Sequence, residues 1–196
     1  MYYCEAAKME SVEPIRDKKK IEAIKKILKA SSLRNYCFFT IGINSGLRIS
    51  DLLSLKISDV LDDKNKIRDR ISLKEKKTGK IKDFPVSDVA KKAIREYLDT
   101  RKYTLDEPMF ISRKGESRIN RQQAYRIINL AARTVGITCK IGTHTLRKTF
   151  GYHAFQTGID ITLLQKLFNH SAPSITLAYI GITQDELDDV YLNLNL

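Results

Sequence analysis

A chain of 196 residues, 42% hydrophobic and 30% charged, has the size and make-up of one soluble globular domain. Its apolar runs fall short of the roughly 20 residues that span a bilayer. The opening MYYCEAAKMESVEP lacks the basic-then-apolar layout of a signal peptide, and Cys4, Cys37 and Cys139 form no CxxC pattern. Membrane insertion, secretion, a disulfide framework and a zinc site are therefore not expected, whereas a net charge of +12 favours a polyanionic partner in the cytoplasm.

From Lys18 to Ala30, KKKIEAIKKILKA places Ile21, Ile24, Ile27 and Leu28 on one face, with lysines opposite, and predicts an amphipathic helix. SSLRNYCFFTIGINSG opens with a serine cap and closes at Gly46; its apolar density predicts a buried helix in which Cys37 is a small core residue. ISDLLSL reads as a short third helix with Ser50 as its cap. RISLKEKKTGKIKDFPV then alternates apolar and polar residues on both sides of KTGK, the signal of a β-hairpin with Thr78-Gly79 at the tip. Helices are predicted over SDVAKKAIREYLDTRK from Ser87, over NRQQAYRIINLAARTVG between Asn120 and Gly136, and over THTLRKTFGYHAFQTG up to Gly158. Three shorter ones follow in DITLLQKLF, SAPSITLAYIG and TQDELDDVYLNL. The fold class is mostly α with a small antiparallel β-sheet.

The charge is unevenly spread. Residues 64–82 hold nine basic residues and two acidic ones, and Arg113, Lys114, Arg118, Arg121 and Arg126 add a second basic stretch against Glu116. The last fourteen residues carry four acids and no base. Lys74, Lys76, Lys80, Lys82, Arg118 and Arg121 are the candidate contacts to the polyanion.

Four short stretches hold side chains capable of chemistry. Arg48 and Asp51, three apart where a helix begins, are a structural ion pair or part of an anion site; in so apolar a neighbourhood the arginine needs an anion, whether Asp51, another internal carboxylate or a phosphate. His144 and Arg147 share one helix face. Two guanidiniums brought together from Arg48 and Arg147 would clamp one phosphate through paired hydrogen bonds and would repel each other without it. Lys77 is a solvated turn lysine or one that reaches into a DNA groove, and His153 reads as a satisfied helical histidine. In LFNHSAPSITLAYIG, His170 and Tyr179 taken alone read as packing residues.

In order, the chain offers GLRISDLLSL, KTGK inside a hairpin, HTLRKTF, LFNHSAPSITLAYI and an amphipathic tail. Each motif is weak alone, but together, in this order and approximate spacing, they resemble the catalytic domain of a tyrosine recombinase of the phage integrase family, from about Lys18 to Gly181. The resemblance implies the DNA breaking-rejoining catalytic-domain fold and site-specific recombination through a 3′-phosphotyrosine intermediate. It casts Tyr179 as the nucleophile and Arg48 and Arg147 as the arginines holding the scissile phosphate. Lys77 would be the general acid on the leaving 5′-oxygen, and His144 a general base or phosphate donor. His170 would hydrogen-bond the transition state, and Asp51 would support this network from behind.

No metal or other cofactor is implied, because a covalent protein–DNA link conserves the bond energy for rejoining. The implied partners are double-stranded DNA and further copies of the chain, as a tetramer on DNA with exchange of the C-terminal tail. An accessory DNA-bending protein is a further candidate; a membrane is not. The setting is the cytoplasm of a bacterium or a phage-infected cell. Relaxation of supercoils as in type IB topoisomerases, or a catalytically idle DNA-binding accessory role, are the alternatives.

The chain divides into an N-terminal arm over 1–17, a catalytic domain over 18–182 and an acidic amphipathic tail over 183–196, whose Leu187, Val190, Tyr191 and Leu194 could form one apolar face. Two departures from the family stand out. The arm is far shorter than the N-terminal domain with which family members commonly close a clamp around DNA, so the chain is a fragment or a stand-alone catalytic domain. Asn169 also stands where the family commonly has glycine, which suits a left-handed backbone position because asparagine tolerates one.

Overall fold

The structure is a computed structural model that describes residues 12–182 except 78, 114 and 116, and, beyond them, residues 186, 188 and 192. Among the described residues the helices run α1 (Lys18–Ser31), α2 (Leu33–Ser45), α3 (Ile49–Leu52), α4 (Ile57–Val60), α5 (Asp88–Leu98), α6 (Arg121–Thr134), α7 (Thr145–Gln156), α8 (Ile161–Phe168) and α9 (Pro173–Ile180). Strands β1 (Arg70–Lys74) and β2 (Ile81–Pro85) pair antiparallel between α4 and α5, with Arg70 opposite Pro85 and Lys74 opposite Ile81.

Most boundaries are set by the caps the sequence advertises. The Ser32 side chain accepts from the backbone N–H of Asn35, Ser87 from that of Ala90, and Asn120 from that of Gln123, whose own side chain returns to the Asn120 N–H. Each pairing satisfies a donor that the first helical turn leaves free. Ser50 caps nothing: α3 starts one residue earlier, with Arg48 in the extended cap position. The short helix α4 was not anticipated from the sequence; Asp59 caps its start by accepting from the Lys56 N–H. The helix predicted over TQDELDDVYLNL lies mainly outside the described residues.

Helix α2 is the spine. Tyr36, Cys37, Phe38, Phe39, Thr40, Ile41 and Gly42 are all buried, and it packs against α1, α3, α5 and α7. Each fully buried phenylalanine or isoleucine in it contributes roughly 1.5–3 kcal/mol. Cys37 is wholly enclosed, and burial pushes its thiol pKa up, so it is inert core. Helices α7, α8 and α9 pack on one another as a second layer. No described helix is long and apolar enough to cross a membrane.

Residues 12–17 run along this second layer. Ile15 is buried, its N–H donates to Thr149 Oγ1 (2.9 Å), its carbonyl lies 2.9 Å from His153 Nε2, and Arg16 Nη2 donates to the Gly181 carbonyl (2.6 Å). His153 is thus the satisfied helical histidine its position suggested. The segment braces α7 and the end of α9, the helix that carries Tyr179.

The close approach of α7 to its neighbours depends on Gly151. A Cβ there would lie 2.6 Å from Ile180 Cγ2 and 2.7 Å from the Phe168 ring, contacts that only a glycine avoids. Gly151→Val should therefore overpack this junction and cost about 1–3 kcal/mol of unfolding free energy, read as a lower urea midpoint with unchanged slope.

Candidate active site

The loop after α2 begins the site. Gly46 ends that helix with a left-handed backbone (φ 58°), and a Cβ there would lie 2.7 Å from the Phe150 ring, so both conformation and space require glycine. Its carbonyl accepts from Arg147 Nη1 (2.5 Å) and from Lys82 Nζ (3.3 Å). Arg147, on the first turn of α7, also donates through Nη2 to the Phe168 carbonyl (3.0 Å) and lies over the Phe168 ring, 4.4 Å from its centre. These acceptors are neutral, and among the described residues the buried Arg147 charge has no directly bonded carboxylate. Burial holds its pKa below the usual arginine value.

Arg48 meets a different anion from the one its spacing suggested. Its Nη1 lies 2.6 Å from Glu75 Oε1, and both side chains are largely buried, so the structural Arg48–Asp51 pair is replaced by Arg48–Glu75. Asp51 is fully buried; its Oδ1 accepts from the Lys76 backbone N–H (3.0 Å), while Oδ2 has no hydrogen-bond partner among the described residues. It ties the start of the hairpin tip to α3, a supporting position behind the arginines.

Tyr179 closes the pocket. Pro173 starts α9, where its missing N–H costs nothing, and Asn169 ends α8 at φ 55°, so the chain reverses between the two helices. That reversal brings the His170 and Tyr179 rings to 5.0 Å between centres, edge to face, with Phe168 5.5 Å from each. The Tyr179 hydroxyl is 3.4 Å from His144 Nδ1, and His170 Nδ1 is 3.1 Å from Thr176 Oγ1. Burial raises the Tyr179 pKa above the usual phenol value, while Arg147 and Arg48 pull it the other way. The ammonium of Lys148, buried on α7, lies 5.3 Å from the centre of the Tyr179 ring.

Arg48, His144, Arg147, His170 and Tyr179 are therefore brought together, with Asp51 behind them. Lys77 is not drawn in; it is exposed beside the hairpin tip, next to Thr78, which lies outside the described residues. Lys74, Lys76, Lys80, Arg118 and Arg121 are exposed; Lys80 Nζ donates to Asn169 Oδ1 (3.0 Å) and Arg121 Nε to Thr143 Oγ1 (3.3 Å). Lys82 differs from the other hairpin lysines because it faces inward.

Sequence reasoning missed Glu75 and the inward direction of Lys82, and the signal was present for both. Strand alternation buries Ile71, half-buries Leu73 and so turns Glu75 inward; on β2 the same rule puts Lys82 beside Phe84 on the inner face.

A buried arginine and a half-buried one, brought beside a half-buried tyrosine and two imidazoles, form a cationic site suited to a phosphate group. The sequence pattern of the Phage integrase family matches residues 16–186, and the chain belongs to that family as a tyrosine-type site-specific recombinase. It is 44% identical over 183 residues to the probable integrase/recombinase YoeC of Bacillus subtilis (strain 168), covering 93% of this chain and 97% of that one. It is 35% identical over 156 residues to the tyrosine recombinase XerC of Thermodesulfovibrio yellowstonii, covering 76% of this chain and 50% of the relative, so it spans about half the length of that protein. In fold it is similar to the crystal structure of XerA recombinase, with a TM-score of 0.73 at 24% identity over 97% of this chain and 66% of that one. A XerH recombinase bound to its palindromic difH substrate after cleavage gives a TM-score of 0.68 at 22% identity, over 89% and 49%.

Both site imidazoles are held below the usual histidine pKa: His144 by burial of its ring, then by Arg121, Arg147, Lys148 and Arg48, and His170 by burial, then by Arg147 and Arg48. They are neutral at pH 7. An NMR titration of the ring protons should give both midpoints below about 6.5, the unperturbed value. A depressed folded pKa favours the neutral form, so this part of the stability is complete above pH 6.5 and is lost as pH falls through the folded values. A midpoint above 6.5 for either ring would contradict the arrangement.

Proposed function

We propose that this chain breaks and rejoins DNA at a specific site, with Tyr179 as the nucleophile. The observation that carries the reading is the position of the Tyr179 hydroxyl, 3.4 Å from a neutral His144 and within the field of Arg48 and Arg147. In the proposed step Tyr179 Oη forms a bond to the scissile phosphorus and the P–O5′ bond breaks. The phenol proton passes to His144 Nδ1, and the departing 5′-oxygen takes a proton from Lys77. The products are a 3′-phosphotyrosine and a free 5′-hydroxyl, and rejoining reverses each transfer.

A phenol is mostly protonated near neutral pH and burial makes this one weaker still as an acid, so acceptor and cations are both required. Arg48 and Arg147 hold the non-bridging oxygens and stabilise the charge that grows there, usually the largest catalytic term. His170, its ring held by the 3.1 Å contact between Nδ1 and Thr176 Oγ1, is assigned the hydrogen bond to the same phosphate. Asp51 positions the hairpin through the Lys76 N–H.

Lys74, Lys76, Lys80, Lys82, Arg118 and Arg121 are assigned to the DNA. The division into an arm over 1–17, a catalytic domain over 18–182 and a tail over 183–196 belongs to this reading, as does work in the cytoplasm of a bacterium or a phage-infected cell. So does a tetramer on DNA in which tails are exchanged, with an accessory DNA-bending protein as a further partner. Support for the exchange comes from a cavity of about 560 Å³ between α1 and α6, lined by Ile27, Leu28, Ile127 and Leu130 and edged by Arg34 and Arg126. Its apolar floor and basic rim suit the leucines and acids of a second copy's tail.

Covalent trapping on nicked DNA carrying the cognate site tests the chemistry. Wild type should yield a DNA-linked protein band, and Tyr179→Phe should yield none above background. Sequence-independent relaxation of plasmids would instead favour a topoisomerase. Salt tests the electrostatic contact: for 6–10 phosphate contacts, affinity should fall about 10³–10⁵-fold between 50 and 200 mM salt. A flat response would contradict it.

A further inference from the structure

We propose that Lys82, rather than contacting DNA from the surface, is a third cation of the phosphate pocket that binds the scissile phosphodiester beside Arg48 and Arg147. This rests on the reading of the site given above. Lys82 comes from β2, on the hairpin's inner face, and donates to the Gly46 carbonyl that Arg147 also uses, so one backbone oxygen holds two cationic side chains side by side. The groups facing its ammonium are Arg147 from α7, Glu75 from the end of β1, and Arg48 and Asp51 from the start of α3.

Three cations thus face two carboxylates, and the remaining single positive charge matches one phosphodiester. Without Lys82 the four groups around it, Arg48 and Arg147 with Glu75 and Asp51, would sum to zero before DNA arrived. The contact to Gly46 is long enough, at 3.3 Å, to be exchanged for a shorter, charge-assisted bond to a phosphate oxygen.

The same environment makes the amine titratable near physiological pH. Burial, then Arg147, lowers its pKa to about 8, with Glu75 opposing, Arg48 lowering it further and Asp51 opposing. The amine carries its charge below that value and loses it as pH rises through it. An added phosphate anion favours the charged form, so DNA binding above pH 8 should take up a proton.

The test is single-turnover cleavage of the nicked substrate across pH 6–10 by wild type, Lys82→Met, Lys82→Arg and, as a charge-matched control on the exposed surface of α5, Lys92→Gln. Lys82→Met should cleave about 10²–10³-fold more slowly at pH 7, the usual effect of removing one donor to a developing oxyanion. Wild-type kcat/KM should fall above about pH 8, and that fall should disappear in Lys82→Arg, whose charge does not titrate. Lys92→Gln should match wild type. Equal rates for wild type and Lys82→Met, or a fall near pH 8 that persists in Lys82→Arg, would overturn the proposal. If Lys82→Met loses its fold by circular dichroism, the Lys82→Arg profile decides. Absence of a Tyr179 adduct in wild type would instead count against the recombinase chemistry itself.

Discussion

The burial of one guanidinium holds this domain together where it matters. Arg147 is 3% exposed, bonded to the Gly46 carbonyl at the end of α2 and to the Phe168 carbonyl at the end of α8, and covered by the Phe168 ring. A charge so far from water is costly unless its donors are satisfied. Satisfying them fixes the ends of two helices relative to α7. The glycine at 46, the packing of Gly151 against Phe168 and Ile180, and the reversal at Asn169 are all conditions for that geometry.

Because the acceptors of Arg147 are carbonyls, its positive charge persists inside the pocket. The protein moderates it with carboxylates set one step back, Glu75 on Arg48 and Asp51 beneath the hairpin. The result is a preorganised cationic pocket with neutral imidazoles at its edge, an oriented environment of the kind in which developing charge is stabilised effectively. Tyr179 stands within it on a short helix whose start, Pro173, and end, Gly181, are both set by backbone requirements, and whose end is braced by Arg16.

Much of this was legible in the residues. The capping serines and asparagine mark helix starts because a cap acts over three residues, a distance any sequence window contains. The hairpin followed from alternation around KTGK, and the left-handed position of Asn169 from the glycine the family commonly has there, which asparagine can replace. The candidate site was legible in a different sense: spacing alone left Arg48 open between an ion pair and an anion site and His170 and Tyr179 as packing residues, and the order of motifs shared with the phage integrase family selected them. The cap at Ser50 failed because α3 is a single turn whose start is set by the loop from Gly46 and by the burial of Ile49.

By itself, the sequence determined the helical architecture, the hairpin, the basic character and the identity of the residues that meet around Tyr179, because these follow from local periodicity, capping and a motif order that survives translation into any frame. Only the tertiary structure decided which anion neutralises Arg48, that Arg147 is held by two carbonyls, and that Lys82 points inward while Lys77 stays exposed. Those outcomes depend on how distant segments pack. An ion pair is chosen by which opposite charge the fold brings within about 4 Å, and no rule of spacing along the chain sets that distance.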